Sequence, residues 1–273
     1  KDGQQAISAS QRAGTATLRV CHVSMCLLTG GLERLLVEFG RHCNRDQFDL
    51  SFAALDGLGV PAEELSEMGY PVESIVDTSP GKVARLKRLT AMFKSQQIDV
   101  VHTHNTLAHF YGAMAAKVAK VPVVVNTQHG QGCGNSFKAR MQFRLANRWT
   151  NQVIGVSEDS AQLCRKDDPK SAKKIRAIWN GIDVQRFDHR GPTFHPHAIS
   201  VARLSPEKDF ATLLRAVWIL VKDYPKFHLK IVGDGSERTE LEALVDQLHI
   251  SKHVEFLGER NDVPDLLGQA GFF

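Results

Sequence analysis

The chain has 273 residues, with 34 basic and 30 acidic side chains and a formal net charge of +4 when histidine is neutral. This length favours two domains over one. With 42% hydrophobic and 23% charged residues, the composition excludes collagen-like, disordered and coiled-coil proteins. No apolar run reaches the roughly 18 to 20 residues of a transmembrane helix, and the mild basicity is too weak to indicate nucleic acid as a partner.

The first 17 residues are polar and rich in Ser, Ala and Gln, without the apolar core of a signal peptide, and they predict a flexible leader. The cysteines are odd in number and scattered, and no two form a CxxC pair. They are Cys21, Cys26, Cys43, Cys133 and Cys164. This pattern favours reduced thiols in a cytoplasmic protein over a disulfide framework or a zinc site.

The first two thirds of the sequence alternate between short β-branched segments and segments of helical periodicity. Strands are expected at Leu18–Ser24, Phe48–Ala54, Val72–Val76, Asp99–His102, Pro122–Thr127, Gln152–Val156 and Ile175–Trp179. Helices are expected at Leu32–Cys43, Pro61–Met68, Lys82–Gln96, Leu107–Val118 and Phe137–Trp149, with another from Ser157. This alternation predicts parallel βαβ units with ligands at the carboxyl ends of the strands.

A turn-rich stretch at 181–197 is interpreted as an interdomain connection between two Rossmann-like domains, 18–180 and 198–273. In the second, strands are expected at Ala198–Ala202, His228–Val232 and Val254–Leu257, and helices at Phe210–Lys222, Glu237–Leu248 and Val263–Gln269. Gly271–Phe273 opens an apolar strand that is expected to pair beside Val254–Leu257. Because native proteins seldom stop at an unfinished strand, the second domain is expected to be incomplete and the sequence to be truncated at its C-terminal end.

Two glycine pairs follow strands. Gly30 and Gly31 open a helix, where free amides and the helix dipole attract an anion, although a plain turn explains the pair equally well. Neither this pair nor Gly233 with Gly235 completes a dinucleotide-binding or P-loop motif. The motifs that usually indicate NAD binding or ATP hydrolysis are therefore missing at these glycines.

Three histidines also follow or end expected strands. The alternation of strand residues places His102 and His104 on one face. A metal pair is conceivable there, but HExxH and binuclear hydrolase patterns are absent, so structural hydrogen bonding is favoured and no metal site is predicted. His129 is either an imidazole in the same cleft or an ordinary surface residue.

Arg203 and Lys208 lie five positions apart between an expected strand and helix. Guanidinium binds phosphate oxygens in pairs and ammonium acts as a point charge, so the two suit a diphosphate, while a solvated loop is the alternative. A DxD pair that could bridge a diphosphate through a metal is absent, as is the GxSxG of serine hydrolases.

Arginines recur at every fourth position of the helix expected at Phe137–Trp149, beside an apolar stripe. The arginines are Arg140, Arg144 and Arg148, the stripe is Met141, Leu145 and Trp149, and a second basic helix carries Lys82, Arg85 and Arg88. This pattern fits contact with a membrane or a charged acceptor. A solvated charged face over a core-facing stripe explains it as well.

Eight segments in order resemble glycosyltransferase family 4, whose members are retaining transferases of the two-domain GT-B fold. They are GGLER at Gly30, DVVHTHN at Asp99, VVVNTQHG at Val123, VIGVSE at Val153, WNGIDVQRF at Trp179, VARLSPEKDF at Val201, LKIVGDGSER at Leu229 and VEFLGERNDVPDLL at Val254. The resemblance implies an α/β protein that transfers a sugar from a UDP- or GDP-linked donor to a saccharide or lipid-linked acceptor. It implies no cofactor and no metal, and a cytoplasmic location with peripheral contact at the inner membrane face.

The resemblance also implies roles for residues. His129 would contact the transferring sugar or the nucleophile region, and Arg203 with Lys208 would hold the nucleotide diphosphate. Donor-binding positions would be Gly30, Gly31, Gly233, Gly235, Arg260, Asp262 and Val263, and the acceptor side of the cleft would include Glu33, His104 and Asn105.

The sequence departs from the family pattern at three points. Ala202 and Asp209 stand where glycine is usual, and the two glutamates eight positions apart that should follow Phe273 are absent, so this protein alone is expected to be inactive. Two alternatives stay open. One is a GT-B nucleotide-sugar 2-epimerase or hydrolase, and the other is a non-catalytic nucleotide-sugar-binding protein.

Overall fold

The computed structural model describes residues 17–75, 81–130, 132–134, 136–187, 197–260 and 262–273. The protein divides into two compact units, Lys1–Asn180 and Gly181–Phe273, here called unit 1 and unit 2. Each is an α/β unit built on a parallel sheet, which confirms the predicted fold class. Positions 1–16 of the expected leader and 188–196 of the expected connection lie outside the described residues.

Unit 1 contains a seven-stranded parallel sheet in the order β3-β2-β1-β4-β5-β6-β7. Its strands are β1 Leu18–Ser24, β2 Phe48–Ala54, β3 Val72–Ser74, β4 Val100–His104, β5 Val123–Gln128, β6 Gln152–Gly155 and β7 Ile175–Ala177. Expected strand residue Val76 lies outside the described residues. β7 ends before the expected Trp179, whose side chain is 74% exposed, so burial does not hold this residue in the sheet.

The helices of unit 1 are α1 Gly31–Arg41, α2 Val60–Glu67, α3 Lys82–Ser95, α4 Asn105–Ala119, α5 Phe137–Asn147 and α6 Glu158–Asp167. Serines begin the last two, because the Ser136 hydroxyl accepts a bond from the Ala139 N–H and the Ser157 hydroxyl from the Ser160 N–H. α4 begins two residues before the expected Leu107, directly where β4 ends. This abrupt strand-to-helix change fixes the side chains at its junction.

The sheet of unit 1 has a core on each face. Cys21 and Val23 of β1 pack into one core and Val20 into the other, as the alternation of strand residues requires. α3 and α4 cover the first core, and α1 and α2 cover the second. Both faces of the sheet are therefore covered by helices, as is usual for parallel sheets.

Unit 2 contains a three-stranded parallel sheet in the order β10-β9-β8. Its elements are β8 His197–Val201, α7 Phe210–Leu220, β9 His228–Val232, α8 Arg238–Gln247, β10 Val254–Gly258 and α9 Val263–Gly268. Leu204, Phe210, Leu214, Leu229 and Ile231 are buried in its core.

The segment after α9 does not run beside β10, so that expectation is wrong. Phe272 forms a parallel bridge with Ala198 of β8, and the Ile199 N–H donates to the Phe272 carbonyl at 3.0 Å. α9 packs near β8. The strands β9 and β10 are added to β8 in one direction across the sheet. The segment after α9 returns to the free edge of β8, and such a reversal of direction is typical of doubly wound sheets.

None of the described helices has both the length and the apolar character needed to cross a membrane. All five cysteines lie among the described residues and none is disulfide-bonded. Burial raises the pKa of the Cys21, Cys133 and Cys164 thiols to about 12. These three therefore stay protonated and pack as small apolar groups.

Candidate active site

The strand order of unit 1 reverses between β1 and β4, which pair in parallel. Because α1 packs on one face of the sheet and α4 on the other, the connections that leave these strands diverge. Such a reversal leaves a crevice at the carboxyl ends of the two strands, where doubly wound proteins bind ligands.

The glycine pair begins α1 at this crevice. Gly30 is the extended residue before the helix and Gly31 is its first residue, and no side-chain group caps the helix. A Cβ on Gly31 would meet no atom of the described residues within 4 Å. Open space beside uncapped amides suits an anion or a sugar oxygen. Glu33, in the first turn of the helix, is buried, and the Cys26 Sγ lies 3.7 Å from its Oε1.

Four histidines meet at the same strand ends. His22 lies on β1, His102 and His104 lie on β4, and His129 directly follows β5. His22 Nδ1 is 3.0 Å from His104 Nε2, and His104 Nδ1 is 3.0 Å from His129 Nε2. The ring centroids of His102 and His104 are 4.4 Å apart, which places them on one face of β4.

Burial keeps these imidazoles neutral. Loss of hydration lowers the pKa of His102 and of His129 to about 4, and lowers that of His22 and His104 well below the usual value. Repulsion between neighbouring histidines lowers the pKa of His22, His102 and His104 further. At neutral pH each ring therefore carries one N–H donor and one acceptor nitrogen.

Asn105 ties two of the loops together. It begins α4 with a left-handed φ of 61°, a conformation that asparagine tolerates better than most residues. Its side-chain Oδ1 accepts a bond from the His129 backbone N–H at 2.9 Å, and the Thr106 hydroxyl donates to the Cys133 carbonyl at 2.9 Å. The loop that carries His129 is therefore held against the start of α4.

One nitrogen from each of His22, His102 and His104 lies within 4.8 Å of the others, a spacing that could hold a metal ion. The rings of His22 and His104, however, are nearly parallel at 9° with centroids 5.3 Å apart. With 3.0 Å between the facing nitrogens, these rings lie end to end, as in a hydrogen bond, and their lone pairs do not converge on a third point.

The second candidate site lies on the loop between β8 and α7, where the strand order of unit 2 reverses. Arg203 and Lys208 are both exposed on this loop. Glu207 lies between them in the sequence, and its pKa is lowered chiefly by a bond from its own backbone N–H and further by attraction to both cations. Both predicted cations therefore lie on one short exposed loop, around the same carboxylate in the sequence.

Two glycines allow a neighbouring loop to hold this one. A Cβ on Gly233, which has φ +130°, would lie 2.0 Å from the Ala202 carbonyl oxygen, and one on Gly235 would lie 2.2 Å from the Leu204 carbonyl oxygen. The Leu204 N–H donates to the Asp234 carbonyl at 3.0 Å. Only glycine permits this backbone contact, so the pair positions the loop that carries Arg203.

Asp209, one of the departures from the family pattern, has a physical explanation. Its φ of 48° lies in the left-handed region, where glycine is favoured and aspartate is tolerated. Its carboxylate also accepts a bond from the Thr212 N–H and caps α7. The gain of a cap therefore offsets part of the backbone strain.

The third predicted group of unit 2 lies at the start of α9. The Arg260 guanidinium donates two bonds to the Asp262 carboxylate, at 2.8 and 2.6 Å, and Val263 is the first residue of the helix. The two side chains of this ion pair are 43% and 39% exposed.

His22 is the site residue that sequence reasoning missed. Its register partner on β4 is His102, so the pairing of β1 with β4 brings it into the cluster. A histidine between Cys21 and Val23, in the buried part of β1, was the available signal, since a buried polar group requires a partner.

The model of glycosyltransferase family 4 matches residues 29–186, and that of the glycosyl transferases of group 1 matches residues 182–273. The protein belongs to glycosyltransferase family 4. It is similar to an Escherichia coli UDP-Gal:α-D-GlcNAc-diphosphoundecaprenol α-1,3-galactosyltransferase, with 23% identity over 94% of this sequence and 72% of that protein. It is accordingly a glycosyltransferase of the hexosyltransferase type.

Solved structures show the same fold. Anabaena HepE, crystallised with UDP and glucose, matches with a TM-score of 0.73 at 20% identity over 93% of this protein and 72% of HepE. The UDP-GlcNAc 2-epimerase of Neisseria meningitidis matches with a TM-score of 0.57 at 14% identity over 91% of this protein and 74% of the epimerase. The GT-B fold is thereby confirmed, and the fold alone does not separate transferases from epimerases.

Proposed function

We propose that this glycosyltransferase moves a hexosyl group from a nucleoside-diphosphate sugar to a hydroxyl acceptor, with retention of the anomeric configuration and without a bound metal. The observation that carries the proposal is the exposed pair Arg203 and Lys208 on a loop that Gly233 and Gly235 hold in place. HepE, which binds UDP, supports a uridine donor, and a guanosine donor is tested beside it.

The cations of unit 2 suit the leaving group. When the sugar departs, negative charge develops on the nucleoside diphosphate, and donors that are already in place stabilise this charge without reorganisation. A guanidinium can pair with two phosphate oxygens and an ammonium adds a compact charge. Because the sequence offers no DxD carboxylate pair to hold a metal, Arg203 and Lys208 are proposed to supply the positive charge themselves.

Unit 1 is proposed to bind sugar groups at the crevice between β1 and β4. The amides beside Gly31 would bind a phosphate or hydroxyl oxygen, and His129, neutral because its pKa is about 4, would form a hydrogen bond to a sugar hydroxyl. A neutral imidazole of this kind orients a substrate and does not act as a charged acid at pH 7. Glu33 and Asn105 lie at the same crevice, on the proposed acceptor side.

We propose peripheral membrane contact through α5, as suits a lipid-linked acceptor. The core-facing residues of α5 are Phe143 and Ala146, so the stripe that contains Met141 is not the core face. Phe137 is 77% exposed and Met141 is 49% exposed. Such apolar groups could enter the interface of an anionic membrane.

The arginines of α5 contribute less to this contact than their spacing indicates. Arg140 Nε lies 3.3 Å from the Asp167 carboxylate, and Arg144 Nε donates to the Asp167 backbone carbonyl. Arg148 is exposed. The proposed membrane contact therefore depends more on the apolar residues than on a row of three cations.

The test is a transfer assay with the full-length protein, UDP- and GDP-hexoses and a panel of saccharide and lipid-linked acceptors. Arg203→Ala and Lys208→Ala should each lower kcat/KM by about 10²- to 10³-fold, the usual effect of removing one charge-stabilising donor. Arg215→Ala, at an exposed arginine on α7, is the matched control and should leave the rate unchanged. Unchanged turnover in Arg203→Ala would refute the assignment, and release of free or epimerised sugar without transfer would favour the epimerase or hydrolase alternative.

A further inference from the structure

Three of the four clustered histidines form a continuous hydrogen-bonded row, here called the imidazole relay: His22, His104 and His129. His104 occupies the centre and uses both ring nitrogens, Nε2 toward His22 and Nδ1 toward His129, each at 3.0 Å. His22 and His104 are buried, at 4% and 0% exposure, and His129 is the partly exposed end. The relay therefore joins the interior of unit 1 to a residue of the crevice.

The chemistry of neutral imidazole couples the three rings. Each has one N–H and one lone pair, so His104 must donate through one nitrogen and accept through the other. If His22 donates to His104, then His104 donates to His129, and the His129 proton must lie on Nδ1. If the direction is reversed, the His129 proton lies on Nε2 and its Nδ1 becomes an acceptor. The relay has only these two states while all rings are neutral.

The surroundings of His22 favour one state. Its ring stacks on Phe52 with centroids 5.2 Å apart and lies 5.4 Å from Phe39. Its Nε2 has no hydrogen-bond partner among the described residues. In a side chain that is only 4% exposed, an N–H without a partner is rarer than an unpaired acceptor, so the proton of His22 belongs on Nδ1, where His104 accepts it.

We propose that His22 and His104 are positioning residues that fix the proton of His129 on Nδ1, so that His129 presents an N–H donor to a hydroxyl oxygen of the sugar. This inference rests on the proposed function for its substrate, but the tautomer itself is a property of the protein without ligand. His129 Nδ1 has no hydrogen-bond partner among the described residues, and Asn105 fixes the backbone at this position.

Two substitutions of His104 separate the halves of the relay. In asparagine the amide group lies near the place of Nδ1, and in glutamine it lies near the place of Nε2. His104→Asn therefore keeps a donor for His129 and loses the contact with His22, whereas His104→Gln keeps the contact with His22 and leaves His129 Nε2 without its donor. His109→Gln is the control, because His109 is another fully buried histidine that contacts Thr150 and lies outside the relay.

The first measurement is the tautomer of His129, read from ¹⁵N chemical shifts of histidine-labelled protein without substrate and assigned by comparison with His129→Ala. We expect His129 to carry its proton on Nδ1 in the wild type, in His104→Asn and in His109→Gln. In His104→Gln we expect His129 to be a mixture of tautomers instead of Nδ1–H alone. An Nε2–H tautomer in the wild type would overturn the proposal. A spectrum that changes on addition of a chelator would also overturn it, because a metal would then hold the three rings.

The second measurement is sugar transfer by the full-length protein. His104→Gln should lower kcat by about 10²-fold with little change in KM, as expected for a misaligned contact, and His104→Asn should recover most of that loss. Equal rates in the two variants would overturn the positioning role. If the wild type transfers no sugar from any donor, the proposed function fails, while the tautomer measurement still decides whether the relay exists.

Discussion

Buried histidine should make unit 1 sensitive to acid, and His109 allows this to be measured apart from the relay. His109 is fully buried on α4, its Nε2 lies 2.8 Å from the Thr150 hydroxyl, and its ring packs against Phe143. Loss of hydration lowers its pKa from 6.5 to about 3. The folded protein therefore keeps this ring neutral across the range in which the unfolded protein takes up a proton.

The direction and size of the effect follow from proton linkage. Because the folded pKa is the lower one, the stabilisation is fully present above pH 6.5 and declines as the pH falls from about 6.5 toward about 3. Between pH 7.5 and pH 5.0, protonation of one histidine in the unfolded protein alone lowers the free energy of unfolding by about 2 kcal/mol. The folded pKa hardly affects this figure, since it lies well below 5.

The variant His109→Gln removes this titration. Glutamine places an amide near the former Nε2 for Thr150, and it removes the buried Nδ1, which has no hydrogen-bond partner among the described residues. The variant should therefore lose about 2 kcal/mol less stability than the wild type on going from pH 7.5 to pH 5.0. His42→Gln is the control, because the His42 side chain directly follows the last residue of α1 and is 61% exposed.

Hydrogen exchange in urea, followed by mass spectrometry on peptides from residues 100–119, reports the free energy of unfolding of unit 1 at each pH. The quantity compared is the pH-dependent change in each protein, not its absolute stability. If the wild type and His109→Gln show the same change between pH 7.5 and pH 5.0, the ring is not held neutral in the folded state and the reasoning is wrong.

Three further predictions concern the loops, the metal and the membrane. Gly233→Ala should lower the free energy of unfolding of unit 2 by about 3 kcal/mol or more, since its Cβ would strike the Ala202 carbonyl in a strained backbone, whereas Gly181→Ala meets no atom of the described residues within 4 Å and should cost little; urea unfolding compares them. Transfer should survive EDTA, and loss that Mg²⁺ or Mn²⁺ restores would contradict the metal-free proposal. Binding to anionic vesicles in a sedimentation assay should fall when Phe137 and Met141 are both changed to serine but not in Val118→Ser, and binding that is absent or equal in all forms would refute the role of α5.

The fold was largely predictable because its elements depend on local patterns. Alternating apolar strands and amphipathic helices are enough to indicate parallel βαβ units, and glycines at strand ends mark the turns. Element ends were less predictable, as β7 shows, since strand ends depend on ladder partners that are distant in sequence. The route of the segment after α9 was predicted wrongly, because the edge at which Phe272 pairs is decided by packing across the whole sheet.

The residues of the candidate site also differ in whether the sequence alone could predict them. Arg203 and Lys208 could be found because a strand-to-helix loop with two cations is a local pattern. His22 could not be assigned, since nothing within its own strand shows that β1 will pair with β4 and bring it to His104. Likewise the tolerance of Asp209 became clear only with its left-handed backbone and its cap on α7.

The anomeric configuration of the product shows whether this protein is a retaining, metal-independent glycosyltransferase. The full-length protein is incubated with an α-linked UDP- or GDP-hexose and its best acceptor in the presence of a chelator, and the new linkage is read by NMR. We expect an α-linked product that is lost in Arg203→Ala and retained in Arg215→Ala. A β-linked product, or donor that is only hydrolysed or epimerised, would contradict it.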